Sequence, residues 1–326
     1  MSTLYAAVAR RRRERYAARP DLRRRLRVPV ISIGNLAVGG RGKTPLACSV
    51  ARMLLAMNER PAILSRGYGR AIREDGVVVV RDPDGIRSDL ARSGDEPLML
   101  ARQLPGASVL TCADRYKAGT YAEQHLGATV HVLDDGFQHF QLERDIDLVI
   151  VGRDDLRNPV TLPSGRLREP LDTLIAADAI VAADDDVEVE ATGMDLPLYR
   201  MTRTLHPVAG LGSPQTAGPI IGVAGIANPD AFFGDLRRGG WQLTGTIPFA
   251  DHHRYSAHDV ERIAAAARRA SAAVVTTEKD YVRLLPFRPW AVPIHYVPLT
   301  VEPAPLDRFR SWIAAELQSV RGAARG

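Results

Sequence analysis

The stretch Ile31-Ser-Ile-Gly-Asn-Leu-Ala-Val-Gly-Gly-Arg-Gly-Lys-Thr44 decides the fold. An apolar run passes into a glycine-rich turn, then Lys43 and Thr44, then a helical pattern over residues 45–57. A strand, a glycine turn and a helix in that order read as a phosphate-binding loop. Gly39, Gly40 and Gly42 let the main chain approach an anion closely and adopt positive φ. Successive N–H groups and the helix N-terminus then point at the phosphates. The candidate nucleotide-binding set is Val38, Gly39, Gly40, Arg41, Gly42, Lys43 and Thr44. Lys43 would reach the β- and γ-phosphates and the Thr44 hydroxyl would ligate Mg²⁺, so the loop predicts a nucleoside triphosphate with Mg²⁺. Pro45 suits the first helical turn, where no N–H partner is lost. One residue departs from the G-x-x-x-x-G-K-[ST] pattern, because Ala37 stands where its first glycine is expected.

Outward from this loop, strand-like runs at residues 28–33, 62–65, 77–80, 108–111, 129–133 and 146–151 alternate with helical patterns at 45–57, 97–103 and 113–126. That alternation predicts an α/β fold, a mostly parallel sheet flanked by helices of the P-loop NTPase type. The acidic run 184–190 reads as a loop or an exposed edge. A glycine- and proline-rich stretch at 210–219 separates a second, smaller α/β unit. Its expected strands are 220–223, 244–248, 273–276 and 293–297, and its helices 230–237 and 257–269. Residues 306–320 have helical spacing and can fold back on the first unit. The expected division is a basic segment 1–27, a nucleotide-binding domain 28–209 and a smaller domain 217–326.

The chain has 326 residues, 45% hydrophobic and 25% charged, which is ordinary for a globular protein and excludes disorder over most of its length. No stretch reaches the roughly 18 uninterrupted apolar residues of a spanning helix. Cys48 and Cys112 make neither a disulfide framework nor a zinc site, and suggest a reducing compartment. The whole-chain charge of +5 is uneven: residues 1–27 hold ten arginines against Glu14 and Asp21, a net +8, so the remainder sums to −3. A basic segment of this kind binds anionic lipid headgroups or nucleic acid, or is simply solvated. A net-negative body argues against a nucleic-acid-binding module. The arginines begin directly after Leu4, Tyr5 and Val8, leaving no apolar core for an export signal, so a cytoplasmic location is expected.

Two acidic pairs stand out, Asp95-Glu96 before a helix and Asp134-Asp135 at the end of a strand. Ligands of open α/β sheets bind beyond the carboxyl ends of strands, so one of the second pair is placed to hold a metal. Asp-Gly is also a common turn, which is the competing reading.

With these residues in view the sequence resembles the tetraacyldisaccharide 4′-kinase family, the lipid A 4′-kinases of Gram-negative bacteria. The strings that carry the resemblance include Val38-Gly-Gly-Arg-Gly-Lys-Thr-Pro45, Leu64-Ser-Arg-Gly-Tyr-Gly-Arg70, Gly94-Asp-Glu-Pro97, Asp134-Asp-Gly-Phe-Gln-His139, Leu162-Pro-Ser-Gly-Arg-Leu-Arg-Glu-Pro170, Phe249-Ala-Asp-His-His253 and Val275-Thr-Thr-Glu-Lys-Asp280. They run in order from about residue 28 to 300. The family's loop does not begin with glycine, which accommodates Ala37.

The resemblance implies transfer of the γ-phosphate of ATP to the 4′-hydroxyl of a tetraacyl disaccharide 1-phosphate. By family analogy Asp95 is the base, paired with His252 from the second domain. Glu96, Asp134 and Asp135 would organise Mg²⁺ with Thr44, and Arg168 would contact phosphate beside Lys43. Arg66, Tyr68 and His139 are candidate substrate contacts, while His253 has a weaker claim than its neighbour. The expected partners are the lipid A disaccharide precursor and the anionic inner-membrane surface, met peripherally from the cytoplasmic face, with no nucleic acid and no obligate protein partner. The alternative is a P-loop GTPase or ATPase switch, or a metallocentre chaperone. Thr277-Glu-Lys-Asp280 superficially matches a guanine-reading Asn-Lys-x-Asp element, but its first residue is wrong for that role.

Overall fold

Short buried runs joined by helices can close only as layers, and the computed structural model shows two such layered units. It describes residues 1–72, 74–185, 187, 195–211, 213 and 218–323. The first part of the chain runs α1 (Ser2–Ala18), β1 (Val30–Asn35), α2 (Lys43–Ala56), β2 (Pro61–Ser65), β3 (Val78–Asp82) and β4 (Gly85–Ile86). It continues with α3 (Leu90–Ser93), α4 (Asp95–Gln103), β5 (Ser108–Thr111), α5 (Arg115–His125), β6 (Val130–Asp134), β7 (Ile146–Val151), α6 (Arg153–Arg157), β8 (Ala179–Ala182) and β9 (Leu198–Leu205). Then follow β10 (Ile220–Ala224), α7 (Pro229–Arg238), β11 (Leu243–Pro248), α8 (Ala257–Arg269), β12 (Ala273–Thr277), α9 (Glu278–Leu284), β13 (Ile294–Val297), β14 (Leu299–Ala304) and α10 (Leu306–Ala323).

The large sheet has ten strands in the order β14-β9-β8-β7-β1-β6-β2-β5-β3-β4. The seven from β9 to β5 are parallel, and antiparallel strands close both edges. β1, β2, β6 and β7 are buried along their whole length, as strands covered on both faces must be. The small sheet, β11-β10-β12-β13, is entirely parallel. The units meet where the Tyr68 ring in the loop after β2 faces His252 in the loop after β11, and where Asp95 and Glu96 at the start of α4 face Arg283 and Lys279 of α9.

Phe309, Ile313 and Leu317 recur at the helical i, i+4, i+8 spacing of α10 and are buried in the core of the large sheet. β14 lies beside β9 in that sheet, so the chain returns to the first unit after β13. This strand escapes sequence reading because Pro303 interrupts it, which an edge position tolerates.

The basic segment is helical over Ser2–Ala18 and is tied to the body by ion pairs both within and beyond that helix. Arg13 pairs with Glu169, Arg24 with Asp114, and Arg25 with Glu143 and Asp145. Both cysteines are free and buried. In the acidic run, residues 186 and 188–190 lie outside the described residues, as do 212 and 214–217 of the stretch between the units.

Candidate active site

Gly42 is the N-cap of α2 at φ 84° and Gly39 has φ 108°, the left-handed backbone that the loop reading required. Ala37 has a physical reason. It is fully buried and forms an antiparallel bridge with Leu167, while Val38 N–H donates to the Arg166 carbonyl at 2.8 Å. The front of the loop is thus held as extended backbone, which needs no glycine, and the Val38 amide is committed within the protein. The same pairing sets Arg168 beside the loop. The Arg41 side chain turns to Asp155 at 2.7 Å and so fastens the loop to the start of α6.

Lys43 Nζ donates to Asn35 Oδ1 at 3.1 Å and lies 3.5 Å from Asp135. Thr44 Oγ1 donates toward Asp134, 3.1 and 3.3 Å from its two oxygens. Arg168 donates to both oxygens of Asp135 at 3.0 Å. Burial, and then the neighbouring Glu96 and Asp135 carboxylates, push the Asp134 carboxyl up to about 7. Asp134 is thus a carboxylate taken out of water with two like charges near it, a position that a divalent cation would stabilise. Asn35 Nδ2 is buried without a partner beside Lys43, an open donor that suits an anion. Among the described residues no group of three or more His, Cys, Asp or Glu forms an all-protein metal cage. Mg²⁺ typically takes one or two carboxylates, with phosphate oxygens and water completing its shell, so the Thr44–Asp134 pair fits it.

Asp95 and Glu96 open α4, where the positive helix end favours carboxylates. Gly94, at φ 88°, must be glycine: a Cβ there would lie 2.7 Å from the Tyr68 carbonyl oxygen, so the loop after β2 rests directly on α4. Opposite, α9 presents Lys279 and Arg283 one turn apart on one face. Lys279 donates to Glu96 at 2.8 Å, and Arg283 Nε donates to Asp95 Oδ2 at 2.7 Å. His252 Nδ1 stands 3.5 Å from the same Asp95 oxygen. Burial would raise the Asp95 carboxyl, but His252, Lys279 and Arg283 together outweigh it and hold the group well below the usual carboxylate range.

Asp135 and His252 both have left-handed backbone, at φ 60° and 57°, which is uncommon outside glycine and clusters at functional sites. Of the two adjacent histidines, His253 is bound to Asp259 at 3.1 Å and stacked on Phe249, so it serves packing, whereas His252 faces Asp95. Tyr68 is 70% exposed with its ring edge-on to His252, and Arg66 is exposed nearby. His139 is half-buried, and burial followed by the Arg115 and Arg144 charges lowers it to about 4, leaving the ring neutral at pH 7.

The structure adds residues that sequence reasoning missed: Arg283 and Lys279, and Arg115, which is buried near Asp134 and Asp135. Lys279 lay inside a quoted string, but no local pattern marks a cation whose partner is 183 residues away. Asp280, in that same string, is fully buried and accepts from Gly225 N–H, Tyr255, Thr277 and Arg283. Its oxygens are spent inside the protein, which removes it as a guanine reader.

Comparison with known proteins places the chain in a family. Residues 1–318 match the family model described as Tetraacyldisaccharide-1-P 4′-kinase. A tetraacyldisaccharide 4′-kinase of Geobacter metallireducens is 39% identical, over 88% of this chain and 87% of the relative. One from Koribacter versatilis is 41% identical, over 85% of each chain. The crystal structure of the "apo" form of LpxK from Aquifex aeolicus in complex with ATP superposes with a TM-score of 0.82 at 30% identity, covering 97% of both chains. The chain therefore belongs to the tetraacyldisaccharide-1-P 4′-kinase family.

Proposed function

We propose that this chain transfers the γ-phosphate of ATP to the 4′-hydroxyl of a tetraacyldisaccharide 1-phosphate, with the residues above in named roles. The observation that carries the reading is the Thr44–Asp134 pair beside the loop, with Glu96 near enough to act on Asp134 and its neighbour Asp95 meeting His252 across the two units. Phosphoryl transfer asks a protein mainly for positioning and charge neutralisation. The loop amides and Lys43 bind the triphosphate. Thr44 and Asp134, with Asp135 and Glu96 adjacent, would hold Mg²⁺, which would supply charge neutralisation for the phosphates. Arg168 contacts the transferred phosphoryl group.

Asp95 accepts the hydroxyl proton. Its carboxylate is fully ionised at pH 7 and is a weak base, so it takes that proton only as the bond to phosphorus forms. His252 orients the carboxylate, and Tyr68, Arg66 and His139 line the acceptor side. Because the dyad is assembled from two units, their docking completes the site and limits hydrolysis of ATP when no acceptor is present. The test is transfer of labelled γ-phosphate to a tetraacyldisaccharide 1-phosphate with Mg²⁺ present and then chelated. Metal-dependent label in the glycolipid is expected, and label appearing only as free phosphate would overturn the reading.

The lipid acceptor requires work at a bilayer surface, and α1 is the element suited to it. Leu4, Tyr5 and Val8 are 71%, 38% and 61% exposed, and Arg11, Arg12 and Arg15 are exposed around them. No described helix is long and apolar enough to cross a membrane. Basic residues near anionic lipid contribute about 1 kcal/mol each. Flotation with anionic vesicles should show binding that falls with salt and with Leu4→Glu/Val8→Glu. Binding indifferent to both would exclude α1 as the contact.

A further inference from the structure

Among the arginines of α1, Arg13 alone is drawn in from solvent. No residue of α1 is buried outright, yet the Arg13 side chain is only 15% exposed and its partner Glu169 only 3%. The contact is a two-pronged fork, with Nε donating to Oε1 at 3.1 Å and Nη2 to Oε2 at 2.7 Å. The guanidinium also lies 4.2 Å from the centre of the Phe137 ring and 4.9 Å from that of Phe140. Such a site uses the planar fork and not merely the charge.

Glu169 leads directly to the candidate active site. Its Oε2 also accepts from Gln138 Nε2 at 3.2 Å, and that same nitrogen donates to the Asn35 carbonyl at 3.0 Å. Asn35 in turn holds Lys43 through its side chain. Glu169 directly follows Arg168, which is bound to Asp135. Phe137, under the guanidinium, lies between Asp135 and Gln138 in the chain and packs so closely that a Cβ on Gly34 would stand 2.4 Å from its own. A cation on a surface helix is thus three side chains from the phosphate-loop lysine.

We propose that Arg13 is a positioning residue for phosphoryl transfer: through Glu169 it sets Gln138, Asn35 and Arg168, and so couples the seating of α1 to the alignment of Lys43 and Asp135. The proposal rests on the phosphate-loop reading of the site. It makes α1 part of the active-site scaffold, and any surface that seats this helix also seats the loop.

The test uses the full chain with the glycolipid in mixed micelles. Arg13→Lys keeps the charge of α1 but loses the fork. Outer-shell partners of such sites are worth about 10–100-fold, so Arg13→Lys and Glu169→Gln should each lower kcat by about tenfold. Each should also weaken binding of a fluorescent ATP analogue measured without acceptor. The double variant should be no worse than either single one, because the two residues act as one unit. A kcat and nucleotide affinity unchanged in Arg13→Lys would overturn the proposal by reducing Arg13 to its charge, as would additive losses in the double variant. Thermal midpoints, with binding read well below them, separate misfolding from misalignment. If the parent chain itself labels no glycolipid, the phosphate-transfer reading fails first, and the analogue-binding arm still decides the coupling.

Discussion

Arg283 Nη2 lies 2.5 Å from Asp95 Oδ2, nearer than the His252 ring nitrogen at 3.5 Å. Arg283 is tied in turn to Asp280 and to the Gly225 carbonyl, both in the smaller unit. The Asp95 carboxylate is therefore held by a cation on α9 of the smaller unit as well as by His252, and its ionisation is linked to the docking of the two units.

Arg283→Gln should expose that linkage. Breaking a buried pair on one side costs about 3–5 kcal/mol, so the thermal midpoint should fall. The depressed carboxyl stabilises the fold above its unfolded pKa, and this contribution is lost as pH falls toward the folded value. Without the cation the Asp95 carboxyl should rise toward the ordinary carboxylate value, with His252 and Lys279 still lowering it. The acid limb of kcat/KM should then move to higher pH than in the parent. A pH–rate profile with the same acid side in both proteins would remove Arg283 from control of Asp95.

Asp95→Ala should lower kcat by about 10²–10⁴, the usual contribution of a positioned base. Binding of ATP should stay close to that of the parent, because the phosphate loop joins β1 to α2 while Asp95 opens α4. Near-normal turnover would show that another group takes the proton.

Lys43→Ala should depress nucleotide affinity and turnover together, with kcat down by about 10²–10³ for the loss of one preorganised charge. This joint loss separates it from Asp95→Ala. A variant that binds and turns over ATP normally would take the loop out of the mechanism.

Asp134→Asn should stabilise the metal-free protein while abolishing transfer. The folded carboxyl is raised to about 7, so the folded state binds more protons than the unfolded chain between the ordinary carboxylate value and about 7. Stability of the parent therefore declines as pH rises through that window. The asparagine variant lacks this decline and should melt higher at pH 8 in chelator. A lower midpoint than the parent under those conditions would contradict the assignment.

The phosphate loop was legible because its demands are local. Gly39 and Gly42 supply positive φ within a few residues of Lys43, and the run ahead of them has the composition of a buried strand. Asp95, Asp134, Asp135 and His252 were legible through motif strings; the structure sets Asp134 and Asp135 against Thr44 and Lys43 of the loop, and Asp95 against His252. β14 was not, because an edge strand containing Pro303 carries little β signal.

By itself the sequence determined the parallel α/β plan and the anion-binding turn, since strand burial, helix spacing and glycine backbone freedom act over a few residues. Tertiary structure alone decided which cations meet which carboxylates. Arg283 reaches Asp95 across 188 residues and Arg13 reaches Glu169 across 156. An arginine has a long, flexible stem and no local preference for a partner, so only the packing of the two sheets and of α1 selects the oxygen it finds.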